Sequence, residues 1–154
     1  MKLRTKHFGE VDYDSHLVIT FDEGLPGFPE HKKFVILLES SQDETFCWLQ
    51  SVDDGQLAFA LINIYNVKPD YNPLANREDV EALGSFEENN LLVYNVVVIP
   101  DDIKQMRANL RAPIVINPTT KRGKQIVLDN EEYPLKYRIF DEVEKNRALQ
   151  TMMS

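Results

Sequence analysis

The feature that most constrains the fold is a pair of short β-branched runs separated by a polar loop late in the chain. The runs are Pro113–Asn117 and Lys124–Leu128, and the loop between them is Pro118–Gly123, which contains both Pro and Gly. Two runs of this composition joined by such a loop predict a β-hairpin. Because a hairpin pairs neighbouring strands in opposite directions, an antiparallel sheet is expected.

Most of the other apolar segments are also short and rich in Val, Ile, Phe and Tyr. The segments that we predict as strands are Leu17–Phe21, Phe34–Leu38, Thr45–Val52, Leu57–Ile64 and Leu91–Ile99, with a further one within residues 2–8. Short polar connections between consecutive strands favour an antiparallel barrel or sandwich. One short helix is predicted, with Asn76 as its N-cap and Gly84 near its end.

Length and charge limit the domain count and the kind of partner. The chain of 154 residues suits a single domain, and its formal net charge is -8. Such an acidic surface disfavours contact with nucleic acid phosphates and favours a basic partner. We predict a folded domain over residues 1–135, followed by a charged, partly disordered tail over residues 136–154.

Several features predict a cytoplasmic protein without a membrane segment. Cys47 is the single cysteine, so an intrachain disulfide is not expected. The polar N-terminus lacks the apolar stretch of a signal peptide. The longest apolar run, Leu91–Ile99, is interrupted by Asn95 and is far shorter than the roughly 20 residues that a membrane helix needs.

The sequence shows no arrangement of residues typical of catalysis or metal binding. His7, His16 and His31 are scattered, and the common nucleophile and phosphate-binding motifs are absent. We therefore predict no catalytic residue, metal or cofactor, and expect the chain to work by binding. Two other classes stay open, namely an enzyme with its site at a barrel mouth and a structural β-module that scaffolds a complex through its sheet edge.

Two kinds of loop are candidates for binding. In Gly24–Pro29, Pro26 and Gly27 suit the central positions of a type II turn, and Phe28 is either tucked into a rigid corner or presented to a partner. Acidic pairs such as Asp53-Asp54 and Asp101-Asp102 are expected in solvated loops, where they act through their combined electric field.

Several segments, taken in order along the chain, resemble the family of the flagellar assembly factor FliW. The matching segments are Gly24–Pro29, Leu49–Val52 with Leu57–Phe59, and Asn109–Asn117 followed by Lys121–Gln125. The resemblance implies a small antiparallel β-barrel that is not an enzyme.

The resemblance also implies partners. Proteins of this family bind flagellin in the cytoplasm and bind CsrA, a dimeric RNA-binding translational repressor. Export of flagellin frees the factor, which then captures CsrA and antagonises it allosterically. The chain is accordingly expected to be a monomer when free, without direct contact to nucleic acid or membrane.

We assign the partner contacts to seven residues by their chemistry. Apolar or aromatic groups on rigid elements would anchor a partner, and acids near the interface would lower the potential of a basic protein. The expected anchors are Phe28, Tyr65 and Tyr71, and the expected acids are Asp53, Asp54, Asp101 and Asp102.

Overall fold

The computed structural model describes residues 1–38, 45–73, 77–85, 90–129 and 132–145. Its strands are β1 (Lys2–Thr5), β2 (Gly9–Asp12), β3 (Ile19–Thr20), β4 (Lys33–Leu37), β5 (Phe46–Ser51), β6 (Ala58–Ile62), β7 (Leu92–Val98), β8 (Arg107–Ala108), β9 (Ile114–Asn117), β10 (Arg122–Gln125) and β11 (Tyr137–Arg138). Helix α1 covers Arg77–Glu81, a second helical segment covers residues 140–145, and 3-10 turns lie at Ser15–Leu17, Ile64–Asn66 and Ile103–Gln105.

Seven strands close into a barrel, which confirms the predicted fold class. Around the barrel the strand order is β7-β6-β5-β4-β3-β10-β9, and a further pairing of β7 with β9 closes the ring. Strand directions cannot alternate around a closed ring with an odd number of strands, so one neighbouring pair must be parallel. That pair is β3 with β10, which meet at Thr20 and Arg122, and the other pairs are antiparallel.

The predicted hairpin is confirmed, although its second strand lies earlier than expected. β9 and β10 pair from Asn117↔Arg122 to Gln125↔Ile114, so the loop is shorter than the predicted one. The predicted strand over Lys124–Leu128 is wrong beyond Gln125. Beyond the end of β10, the N–H groups of Ile126 and Leu128 still donate to the carbonyls of Pro113 and Arg111, at 2.9 and 2.7 Å. Their side chains pack with α1 in a small buried cluster, which explains why these positions are apolar.

The short elements depart most from the predictions. Strands β2, β8 and β11 lie outside the predicted strands, because a strand of two to four residues carries too little periodicity to be recognised. The predicted helix is present as α1, and its predicted N-cap, Asn76, lies outside the described residues.

Hydrophobic side chains form one core inside the barrel and another on its outer face. Consecutive residues of a strand point to opposite faces, so Leu61 joins the inner core whereas Ile62 joins the outer one. Phe21 and Phe34 fill the barrel with an edge-to-face contact at a ring separation of 5.4 Å. The outer core is covered by β8, β11 and residues 139–145, which contribute Ala108, Ile139 and Val143 among others.

The hairpin β1–β2 forms a separate two-stranded sheet that packs on β5. Its tip places His7 on Trp48, with the two rings stacked at 4.3 Å. The backbone N–H of Lys6 donates to the carbonyl of Gly55 at 3.0 Å. A Cβ at Gly55 would overlap the backbone of Arg4, so close docking of this hairpin depends on the glycine.

The sequence-based boundary after residue 135 stays a prediction. Within residues 136–145, β11 pairs with β8, and Ile139 and Val143 are buried in the outer core. The described part of this segment therefore packs against the barrel.

Candidate partner-binding surfaces

The seven residues chosen from the sequence lie on different parts of the barrel. Phe28, Asp53 and Asp54 meet at one end of it, in the turn after β3 and in the β5–β6 connection. Tyr65 and Tyr71 follow β6 on the side of the outer core, and Asp101 and Asp102 lie between β7 and β8.

The turn Gly24–Pro29 is held tightly by its own backbone. The N–H of Phe28 donates to the carbonyl of Leu25 at 2.7 Å, and Leu25 is buried. Gly27 has a φ of 86°, which a type II turn requires at its third residue. Gly24, with a φ of 65°, lies against the backbone of Phe28 and Pro29. The predicted turn is therefore rigid, and its geometry depends on glycine at two positions.

Phe28 is both packed and exposed. One edge contacts Phe59 at a ring separation of 5.6 Å, and Phe59 in turn packs against Phe34 in the core. The ring nevertheless keeps 38% of its surface exposed. The two predicted placements of Phe28, packed into a rigid corner or presented to a partner, are thus compatible. The core supports the ring from one side, and the other side faces solvent.

The acidic pair Asp53-Asp54 is fixed beside Phe28. The Ser51 hydroxyl accepts from the backbone N–H groups of Asp53 and Asp54, at 3.2 and 3.1 Å. The buried amide of Gln50 donates to the carbonyls of Asp54 and Leu57, which holds the loop from below.

His31 links the acids to the aromatic ring. Its Nε2 lies 3.9 Å from a carboxylate oxygen of Asp54, and its ring meets the edge of Phe28 at 6.1 Å. A rigid aromatic group and two acids therefore share one barrel end. We call this surface the turn face, defined by Phe28, His31, Asp53, Asp54 and Phe59.

Tyr71 is buried, contrary to the surface position expected of a partner anchor. It is 3% exposed, its hydroxyl donates to the carbonyl of Leu110 at 2.6 Å, and it accepts from the Asn95 amide at 3.2 Å. Burial raises the pKa of Tyr71 to about 12, against a smaller opposing effect of the Asn95 hydrogen bond. Tyr65 packs against Tyr71 at a ring separation of 5.9 Å and is 40% exposed, so of these two tyrosines it is Tyr65 that reaches the surface.

Asp101 and Asp102 are exposed next to an apolar cleft that no local sequence pattern predicts. The Asp102 carboxylate caps the following 3-10 turn by accepting from the N–H of Lys104 at 3.1 Å. The cleft has a volume of about 140 Å³, and its walls include Phe46, Trp48, Ala60, Ile99, Ile103 and Met106. These residues come from distant parts of the sequence, so only the tertiary fold brings them together.

The described residues offer little that could perform chemistry. Within the described ranges, no group of three or more His, Cys, Asp or Glu side chains is placed to hold a metal ion. Burial raises the pKa of the Cys47 thiol to about 12, which leaves it protonated near neutral pH. In that same part of the chain, no helix combines the length and apolar character needed to cross a membrane.

The buried thiol leads to a testable pH dependence. Because folding raises the pKa of Cys47 from 9.0 to about 12, its contribution to stability is complete below pH 9 and is lost as the pH rises towards 12. When the pH is raised from 8 to 10.5, the unfolding free energy of the wild type should fall by roughly 1–2 kcal/mol more than that of Cys47→Ala, which has no thiol to ionise. Urea unfolding at both pH values measures this difference, and equal losses in the two proteins would contradict it.

The closed ring of seven strands, with short strands and a helical segment packed on its outer face, defines a small β-barrel protein. The family model described as "FliW protein" matches residues 2–139. The chain therefore belongs to the FliW family of flagellar assembly factors, and the resemblance seen in the sequence is confirmed.

Individual relatives agree with this assignment. The chain is 42% identical over 145 residues to the flagellar assembly factor FliW of Alkaliphilus metalliredigens, a match that covers 94% of this chain and 90% of that protein. It is 43% identical over 143 residues to the flagellar assembly factor FliW of Thermoanaerobacter pseudethanolicus, which covers 93% and 95%. A crystal structure of the flagellar assembly factor FliW superposes with a TM-score of 0.84 at 34% identity, covering 91% of this chain and 97% of that one.

Proposed function

We propose that this protein binds flagellin in the cytoplasm and also binds CsrA, whose RNA-binding repression of flagellin synthesis it antagonises allosterically. The observation that carries the proposal is the family match over residues 2–139. In this scheme flagellin and CsrA draw on the same pool of the protein, which acts by occupying other proteins and makes or breaks no covalent bond.

The acids of the turn face offer an electrostatic mechanism by which this protein would antagonise CsrA. A protein that binds RNA must present a basic surface, and a bound body of net charge -8 lowers the potential of that surface. At physiological salt the Debye length is about 8 Å, so only acids close to the interface act strongly. Asp53 and Asp54 are fixed beside the half-exposed ring of Phe28, where an aromatic anchor and a repulsive field can act together.

Isothermal titration calorimetry tests the proposal directly. We expect heats of binding when the purified protein is titrated with flagellin and, separately, with CsrA. The absence of heat with both partners, at concentrations up to about 50 μM, would contradict the proposal.

A charge-neutral variant of the turn face separates the electric field from ordinary contacts. We expect the double substitution Asp53→Asn with Asp54→Asn to weaken inhibition of RNA binding more than it weakens binding to CsrA. The reason is that Asn keeps the shape of Asp but removes its charge. The control is Asp141→Asn with Glu142→Gln, which makes the same change in net charge at two exposed positions elsewhere. Equal losses of inhibition and binding would identify the acids as ordinary contacts.

A further inference from the structure

The barrel end opposite the turn face contains a second apolar cavity. Ile19 begins β3, Leu92 begins β7, and Ile36 and Ile116 lie next to the last residues of β4 and β9. Because the chain direction alternates between most neighbouring strands, these starts and ends meet at one end of the barrel. Together with Leu17, Pro118 and Lys121, they enclose a cavity of about 190 Å³.

The cavity is open to solvent although its walls are apolar. Ile19 and Ile116 form a buried floor that belongs to the inner core. Leu17 and Leu92 stand at the opening and are 59% and 38% exposed. A concave apolar surface that remains exposed is typical of a binding site, because covering it would remove apolar area from water.

Among the described residues that line this cavity, Lys121 is the only charged one. Its backbone has a φ of 59°, the only positive φ outside glycine among the described residues. This conformation is held by hydrogen bonds from its N–H to Asn117 and from the N–H of Thr20 to its carbonyl, at 2.9 and 2.8 Å. The ammonium donates to the carbonyl of Pro118 at 2.6 Å and, across the described chain, pairs with no carboxylate.

The chemistry that complements this cavity is an apolar group with a carboxylate directly beside it. Among the described residues a carbonyl is the one partner of this ammonium, which therefore retains donors for an anion, and an ion pair at the lip of an apolar site is less screened by water than one in bulk solvent. The C-terminal residue of a polypeptide carries both groups on one carbon atom. An internal Asp or Glu instead holds its carboxylate away from the neighbouring apolar side chain, which in an extended segment points to the opposite face.

We propose that this cavity binds the C-terminal residue of a partner polypeptide, with an apolar side chain between Leu17 and Leu92 and the α-carboxylate on Lys121. This inference goes beyond the proposed function and does not depend on it. Capture of a chain terminus in this way is a known mode of peptide recognition.

The test compares two forms of one short peptide. The probe is an acetylated hexapeptide, Ala-Gly-Ser-Gly-Leu-Leu, with either a free carboxylate or a C-terminal amide, titrated into the full-length protein labelled with ¹⁵N. We expect the acid to bind about fivefold more tightly than the amide, because one partly exposed ion pair distinguishes them. We expect the largest shifts at the backbone amides of Ile19, Ile36, Leu92 and Lys121.

Substitutions at Lys121 test whether its ammonium binds the carboxylate of the peptide. Lys121→Asn is expected to abolish the preference for the acid, and Asn tolerates the positive φ, so the hairpin should keep its shape. Lys121→Arg is expected to retain the preference. Lys104→Gln, which removes an exposed lysine outside this cavity, is the matched control and is expected to behave like the wild type.

Several results would overturn the inference. These are equal affinity of the wild type for the acid and the amide, an unchanged preference in Lys121→Asn, and shifts that map outside the cavity. Octanoate, titrated in the same way, presents an apolar chain and a carboxylate without a peptide. Tighter binding of octanoate than of the peptide acid would identify a fatty acid as the better occupant and would equally overturn the polypeptide assignment.

Discussion

Gly24→Ala is expected to lower the unfolding free energy by roughly 3 kcal/mol or more, because it combines backbone strain with overlap. Gly24 has a φ of 65°, which an L side chain rarely adopts. A Cβ at this position would lie 2.6 Å from the carbonyl oxygen of Phe28 and 2.7 Å from the Cα of Pro29. Backbone atoms cannot rotate away as a side chain can, so the turn itself must shift and carry Phe28 from its contact with Phe59.

Gly9 and Gly27 provide matched controls for this substitution. Gly9 has the same φ of 65° and Gly27 a φ of 86°, and a Cβ would meet nothing within 4 Å at either position. Ala at these positions should cost about 1 kcal/mol, from backbone strain alone. Urea unfolding measures all the variants against the wild type. Equal destabilisation by Gly24→Ala and Gly9→Ala would show that crowding against the turn has no effect.

Phe34→Ala is expected to lower the unfolding free energy by roughly 3–5 kcal/mol. Phe34 is fully buried and contacts Phe21 at 5.4 Å and Phe59 at 6.3 Å, so its removal leaves a cavity between two rings. Because Phe59 also supports Phe28, the same substitution should loosen the turn face and weaken partner binding. Stability is measured by urea unfolding, with the fluorescence of the single tryptophan, Trp48, as the signal.

Two other substitutions show whether the loss comes from the cavity. Phe34→Leu keeps most of the volume and should cost less than Phe34→Ala. Phe28→Ala removes a ring that is already 38% exposed, so it should affect partner binding more than stability. A Phe34→Ala variant as stable as Phe28→Ala would contradict the place of Phe34 in the core.

The sequence predicts the barrel better than it predicts the binding surfaces. Local alternation and turn residues identify the longer strands and the β9–β10 hairpin, because these depend on neighbours in sequence. The strands β8 and β11 contain two residues each and exist only because β8 pairs with the end of β7. Such pairing is a tertiary effect that no local pattern records.

The candidate surfaces show the same limit. Phe28 and the pair Asp53-Asp54 lie far apart in sequence, and only the fold joins them through His31. The sequence predicts Tyr71 as a surface ring, but the ring is buried and its hydroxyl donates to the carbonyl of Leu110, which lies 39 residues away in sequence. An aromatic residue in a polar segment gives no local sign of which side it faces. The cavity beside Lys121 has no local sequence pattern either, because its walls come from four strands and two turns.

Release of RNA from CsrA tests the central claim most directly. Fluorescence anisotropy of a labelled flagellin-leader RNA bound to CsrA should fall when this protein is added, and it should rise again when flagellin is then added in excess. This recovery is expected because, in the proposed function, flagellin and CsrA draw on one pool of the protein. Anisotropy that stays unchanged on addition of the protein, or that fails to recover with flagellin, would contradict the account.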